Sequence, residues 1–239
     1  MSSIPPPLQQ EAPQGDTAPP GVSWGPARTF AGLAIFLVIL IFEAGVISAF
    51  DSDLDSLAAK LSLQALLAVT LVGVAFAAAK NNGFAPAEAL GLRRPLRPYI
   101  KPTFAAYGVY IACAVVLAAL IQPEQEDITR ELGFDESTLG AIAAGILIVI
   151  AAPISEEVFF RGFMFAGIRR RAPFAVAAVS SAAIWGLFHY TGPDSWGVCL
   201  QLAIFGVVLA WLYERTGSIL PTIAVHMFNN ALAFAILAS

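Results

Sequence analysis

An all-α, polytopic transmembrane bundle behind a disordered N-terminal tail is the fold class this sequence predicts. Three observations carry it. Of the 239 residues, 58% are hydrophobic and only 13% charged, against roughly half and a quarter in soluble domains. The mean hydropathy is +0.74. The apolar residues gather in runs long enough, at about 1.5 Å per residue, to cross a hydrocarbon core of about 30 Å as helices. Such helices satisfy each backbone amide within their own segment. This composition excludes a secreted or cytosolic enzyme but leaves room for a membrane-embedded one.

Residues 1–27 are expected to be the disordered tail. They hold seven of the sixteen prolines (Pro5, Pro6, Pro7, Pro13, Pro19, Pro20 and Pro26) and almost no large apolar side chains, too little surface to offset chain entropy. No basic stretch followed by an apolar core and a small-residue cleavage site opens the chain, so no removable signal peptide is expected. The transmembrane domain then occupies residues 28–239. Its expected spans are residues 30–50, 61–79, 103–121, 139–168, 173–190, 197–213 and 218–237. The fourth is longer than a bilayer needs, which predicts tilt, a protruding end or a kink at Pro153. Small residues such as Ala143, Ala144 and Gly145 in the fourth span and Ala177, Ala178 and Ser181 in the fifth allow helices to approach closely in lipid.

Charge sets the expected orientation. Lys80, Arg93, Arg94, Arg97 and Lys101 lie between the second and third spans, and Arg169, Arg170 and Arg171 follow the fourth. Acids fill the alternate connections: Asp51, Asp53 and Asp55, then Glu124, Glu126, Asp127, Glu131, Asp135 and Glu136. The positive-inside rule predicts a cell-membrane protein with a cytoplasmic N-terminus and an external C-terminus. A net charge of −4 argues against nucleic acid as a partner, which needs a basic face. Cys113 and Cys199 sit inside apolar runs and provide no disulfide framework.

Polar residues inside a span cost roughly 2.5 to 3.5 kcal/mol each on insertion scales, so those tolerated are site candidates. Three clusters stand out: Ser155, Glu156, Glu157 and Arg161 in the fourth span, Trp185 and His189 in the fifth, and His226, Asn229 and Asn230 in the seventh. They contain both histidines of the chain. Counted from the cytoplasmic flank, Glu156, His189 and His226 lie about 20, 24 and 16 Å along their helices, so the three can meet. Glu157 and Arg161 are four apart and suited to an ion pair, which leaves Glu156 on an adjacent face, free to act. His226 and Asn230 are also four apart and can point at one spot. A carboxylate, two imidazoles and a carboxamide in a dry pocket are the ingredients for activating water and stabilising an oxyanion. Glu156, His189 and His226 could equally be three zinc ligands with water in the fourth place, although the His-Glu-x-x-His spacing of common zinc proteases is absent.

The Glu-Glu-x-x-x-Arg of the fourth span, the aromatic-x-x-x-His of the fifth and the His-x-x-x-Asn of the seventh, in that order, resemble the CPBP superfamily of intramembrane proteases. That superfamily comprises the CaaX prenyl-protein endopeptidases and the bacteriocin-processing or bacteriocin-immunity (Abi) proteins. The likeness covers about residues 80–235. The run from Ala152 to Gly162 is similar to the family's first motif, and Gly91-Leu92-Arg93 to a weaker family habit. In one departure, Trp185 stands where the second motif usually has Phe, which keeps an aromatic wall but reshapes the pocket.

The resemblance implies eight helices in many members, so seven to eight are expected here. It also implies an intramembrane endopeptidase acting on a lipid-anchored or membrane-associated peptide or protein, with membrane lipids as surroundings. Glu156 with His189 would activate water, His226 and Asn230 would hold the oxyanion, and Glu157 and Arg161 would shape the site. Zinc through Glu156, His189 and His226 is conceivable, and a metal-free glutamate mechanism is preferred.

Two other classes stay open on the residues alone. One is a non-catalytic bacteriocin-immunity or peptide-binding membrane protein that keeps the polar pocket. The other is an ion-coupled transporter, against which the lack of paired half-repeats weighs. Glu43 and Lys60 match no motif and read as interfacial or packing features. Phe159, Phe160, Phe163 and Phe165 read as lipid-facing or core side chains, and Asn229 as a packing residue.

Overall fold

The computed structural model describes residues 21–50, 56–80, 84–95, 97–121 and 138–237. The acidic residues of segments 51–55 and 122–137 and the tail up to residue 20 lie outside them. Eight α-helical elements, and no strand among the described residues, build the chain: α1 (Pro26–Phe50), α2 (Leu57–Ala79), the single turn α3 (Pro86–Ala89), α4 (Ile100–Ile121), α5 (Thr138–Arg169), α6 (Phe174–Leu187), α7 (Trp196–Thr216) and α8 (Leu220–Leu237). The bundle is an integral membrane fold. Helices α1, α2, α4, α5 and α7 are long and apolar enough to cross a membrane. They expose large apolar side chains such as Ile41, Phe104 and Leu139, an arrangement stable in lipid and unfavourable in water.

The seven expected spans correspond to α1, α2 and α4 to α8, and the short α3 is the additional element. Several boundaries differ by three or four residues, the second span for example beginning at Leu57. The first span begins at Pro26, and the fifth stops at Leu187, because Thr191, Gly192 and Pro193 turn the chain. The Ser195 hydroxyl accepts from the amides of Thr191 and Gly192 at 3.1 and 3.3 Å and donates to the Gly192 carbonyl at 2.8 Å. With 14 residues, α6 reaches about 21 Å. His189 therefore sits in the turn just beyond the helix, its amide bonded to the Gly186 carbonyl.

Helix α5 is the central element, and Pro153 shapes it. It runs unbroken from residue 138 to 169, but residues Leu147–Ala151 and Glu157–Phe165 are wound as π-helix on either side of Pro153. Proline removes one amide donor and crowds the preceding turn, and the wider winding accommodates it. Around α5, the helices α6 and α7 pack through small residues. A side chain added at Gly206 would lie 2.7 Å from the Ala182 methyl, and one at Gly186 would meet the Cys199 carbonyl.

One end of the bundle is tied together by a loop. Gly91, with φ +81°, turns residues 90–93 inward, so that its carbonyl accepts from the Ile219 amide at 3.0 Å and Arg93 Nε donates to the Gly217 carbonyl at 2.9 Å. Gly217 itself, with φ +66°, ends α7 in the left-handed conformation. Arg169 bridges to Glu214 at 2.9 Å, which sets the C-terminal ends of α5 and α7 side by side.

Part of the expected tail is structured. Trp24 is buried, stacks on Phe163 at 5.8 Å and donates its indole N–H to the Phe163 carbonyl at 2.9 Å. The tail reading therefore fails for residues 21–27: one large aromatic beside Gly25 and Pro26 is enough to dock the chain where α5 winds widest. Phe159, Phe160, Phe163 and Phe165 are all core residues. Glu43 accepts from the Thr70 hydroxyl at 2.5 Å, joining α1 to α2.

Candidate functional site

Glu156 and Glu157 occupy the point where α5 passes into its second π-helical stretch, and their surroundings differ sharply. Glu157 is fully buried. Its Oε1 takes an ion pair from Arg161 Nη1 at 2.9 Å and a hydrogen bond from His226 Nδ1 at 3.0 Å. Glu156 keeps 14% of its side-chain surface, and its Oε2 accepts from the Trp185 indole N–H at 2.6 Å. His226 Nε2 lies 3.9 Å from that same oxygen. The two neighbouring carboxylates thus share His226 but are otherwise divided: one is buried in an ion pair, the other is partly exposed and has none.

The imidazole partners fix the ring chemistry. Carboxylate and carbonyl oxygens only accept, so the proton on His226 is at Nδ1, toward Glu157, and that on His189 is at Nδ1, toward the Trp185 carbonyl 3.0 Å away. In a neutral ring this leaves Nε2 as the basic nitrogen in both. Arg161 is buried, with its guanidinium carbon 4.3 Å above the Trp185 ring, a cation–π contact that replaces part of its lost hydration. A side chain at Gly206 would come within 3.1 Å of its Nη2, so the glycine makes the space Arg161 fills.

Trp185 connects the three motifs. Besides its bond to Glu156, its ring meets the edges of His189 and His226, with centroids 5.5 and 5.3 Å apart. Glu156, Glu157, Arg161 and His226 come together directly. His189 joins them through Trp185, without a hydrogen bond to Glu156. Asn230 is one turn beyond His226 on α8, and its amide nitrogen donates to the Ile148 carbonyl of α5 at 3.0 Å. His226 and Asn230 therefore grip different points of α5 instead of aiming at a single one. Among the described residues, no three His, Cys, Asp or Glu side chains converge as a metal would require. Glu156, His189 and His226 as arranged do not fit a zinc site.

Residues 138–232 match the family model "Type II CAAX prenyl endopeptidase Rce1-like". This match, confined to residues 138–232, supports the likeness to the CPBP superfamily. Among curated proteins, it is 25% identical over 158 residues to "Uncharacterized protein YyaK" of Bacillus subtilis, which is 58% of this chain and 51% of that protein. It is 32% identical over 107 residues to "Putative membrane peptidase YdiL" of the same organism, 43% of this chain and 42% of that one. The chain spans about half the length of the curated relatives it matches. No solved structure matches. The matched residues contain all six candidate residues and both π-helical stretches of α5. They leave out Trp24 and the loop at Gly91, which brace the same helix from outside.

The sequence alone did not single out the Trp185 N–H, though a buried indole generally needs an acceptor, nor Gly162. A side chain at Gly162 would collide with the Leu90 carbonyl.

Proposed function

We propose that this chain is an intramembrane endopeptidase acting on a lipid-anchored or membrane-associated peptide or protein, by a metal-free mechanism in which Glu156 is the general base. The observation that carries the reading is the division between the adjacent glutamates. Glu157 is fully buried and ion-paired to Arg161 with His226 on the same oxygen, whereas Glu156 has no guanidinium partner, keeps 14% of its side-chain surface exposed and has one oxygen without a hydrogen bond.

Glu156 takes a proton from a water molecule as the water oxygen attacks the scissile carbonyl carbon. His189, whose Nε2 is left basic, helps orient that water. The carbonyl oxygen becomes an oxyanion, which His226 meets through Nε2–H in its imidazolium form. Two carboxylates and one guanidinium leave the buried cluster one negative charge in excess, and such an imidazolium balances it. Asn230, engaged at the Ile148 carbonyl, holds α8 against α5 beside the site. When the intermediate collapses, the proton held by Glu156 passes to the departing amine nitrogen.

Lys80, Arg93, Arg94, Arg97, Lys101 and Arg169 to Arg171 support a cytoplasmic N-terminus. The test is comparative proteomics of membranes carrying the parent protein or Glu156→Ala. A substrate that loses its terminal tripeptide or leader only with the parent is the expected result. A folded Glu156→Ala protein that processes the same substrate at the parent rate would overturn the assignment.

A further inference from the structure

We propose that Trp185 is the positioning residue for Glu156: its indole N–H holds Oε2 so that Oε1 is the oxygen offered to water. The proposal rests on the reading of Glu156 as general base, and it concerns the residue that departs from the motif's usual phenylalanine. A phenyl ring would fill the same wall but has no donor.

The geometry is specific. The Nε1 to Oε2 distance is 2.6 Å, short even for a hydrogen bond to a carboxylate. The donor is itself immobilised, because Trp185 is 1% exposed. Arg161 covers its ring at 4.3 Å, and Phe205 and His226 pack against it with centroids at 6.1 and 5.3 Å. A carboxylate tethered at one oxygen to a rigid indole cannot rotate about its terminal bond, so the second oxygen has a fixed direction. The same residue's carbonyl takes the Nδ1–H of His189. Trp185 therefore orients both proposed water-activating groups, one through its side chain and one through its backbone. Only the side-chain half is lost in Trp185→Phe.

Two measurements test this. In protein labelled with 15N at the indoles, the Trp185 N–H resonance is assigned by its disappearance in Trp185→Phe, and folding of that variant is judged from the resonances of Trp24, Trp196 and Trp211. In Glu156→Ala, with Trp185 intact, that resonance is expected to move upfield as its acceptor is removed. An unmoved resonance overturns the proposal. The second measurement is steady-state cleavage of an internally quenched, farnesylated CAAX peptide in liposomes. Trp185→Phe is expected to lower kcat by about 10- to 100-fold with KM little changed, as for a misaligned base. Parent kcat, or a change confined to KM, overturns it. If the parent cleaves nothing, the protease reading fails for this peptide, and the resonance alone decides whether Trp185 holds Glu156.

Discussion

The Asn230 side chain donates to the Ile148 carbonyl across the α5–α8 interface at 3.0 Å, and the proline five residues after Ile148 explains why. In the π-helical turn of Leu147–Ala151, the Ala152 amide reaches back five residues to Leu147. Residue 153 would continue that pattern to Ile148, but proline has no N–H. In hydrocarbon an unpaired carbonyl costs several kcal/mol, and Asn230 supplies the missing donor. Asn230→Ala is therefore expected to destabilise the bundle by about 1 to 3 kcal/mol. Part of that loss should disappear when Pro153→Ala restores an amide. Thermal unfolding of the two single variants and the double in detergent checks this, since independent effects would simply add.

The adjacent glutamates should fail in different ways. Glu156→Gln keeps size and shape at a partly open position, so the unfolding midpoint is expected to stay near the parent's while turnover falls by about 10² to 10⁴-fold. Glu157→Gln strands the buried Arg161 without its counter-charge, an effect of about 3 to 5 kcal/mol. Its signature is less folded protein in the membrane. Adding Arg161→Met to Glu157→Gln should return stability toward the parent, because the uncompensated charge is then gone. Folded yield and unfolding midpoints of these three variants separate the roles.

The spans and the three polar motifs were legible because hydrocarbon thickness and the cost of buried charge act on composition directly. Glu157 and Arg161 pair as their spacing of four implied. What composition did not carry was the winding of α5: a π-turn changes hydrogen-bond partners without changing which residues are apolar, so the separate grips of His226 and Asn230 were hidden. The end of α6 was readable in Thr191-Gly192-Pro193, where glycine and proline favour a turn. The apolar pattern continues through Tyr190 and hides that end, so composition places His189 within a helix it only follows. Trp24 was masked by the prolines around it.

Gly162 should tolerate no side chain. A methyl there would collide with the Leu90 carbonyl oxygen, and a backbone group cannot turn away as a flexible side chain can. Gly162→Ala is expected to cost about 1 to 3 kcal/mol and to push residues 90–93 off α5. Because that loop also holds the α7–α8 turn through Gly217 and Ile219, limited proteolysis near Arg93 and Arg94 should accelerate. Unchanged cleavage there would mean the loop is not the element that yields.

Trp24 separates packing from hydrogen bonding at the opposite side of α5. Its ring lies against Phe163 and the Gly167 backbone, and its N–H caps the Phe163 carbonyl inside the wide π-helical stretch. Trp24→Ala removes both and is expected to cost about 3 to 5 kcal/mol. Trp24→Phe keeps most of the ring contact and is expected to lose only about 1 kcal/mol for the bond. The contrast is measured by unfolding midpoints. If Trp24→Ala lowers turnover of folded protein as well, the docked segment helps hold the winding that carries Glu157 and Arg161. If turnover of the folded fraction is unchanged, Trp24 serves stability alone.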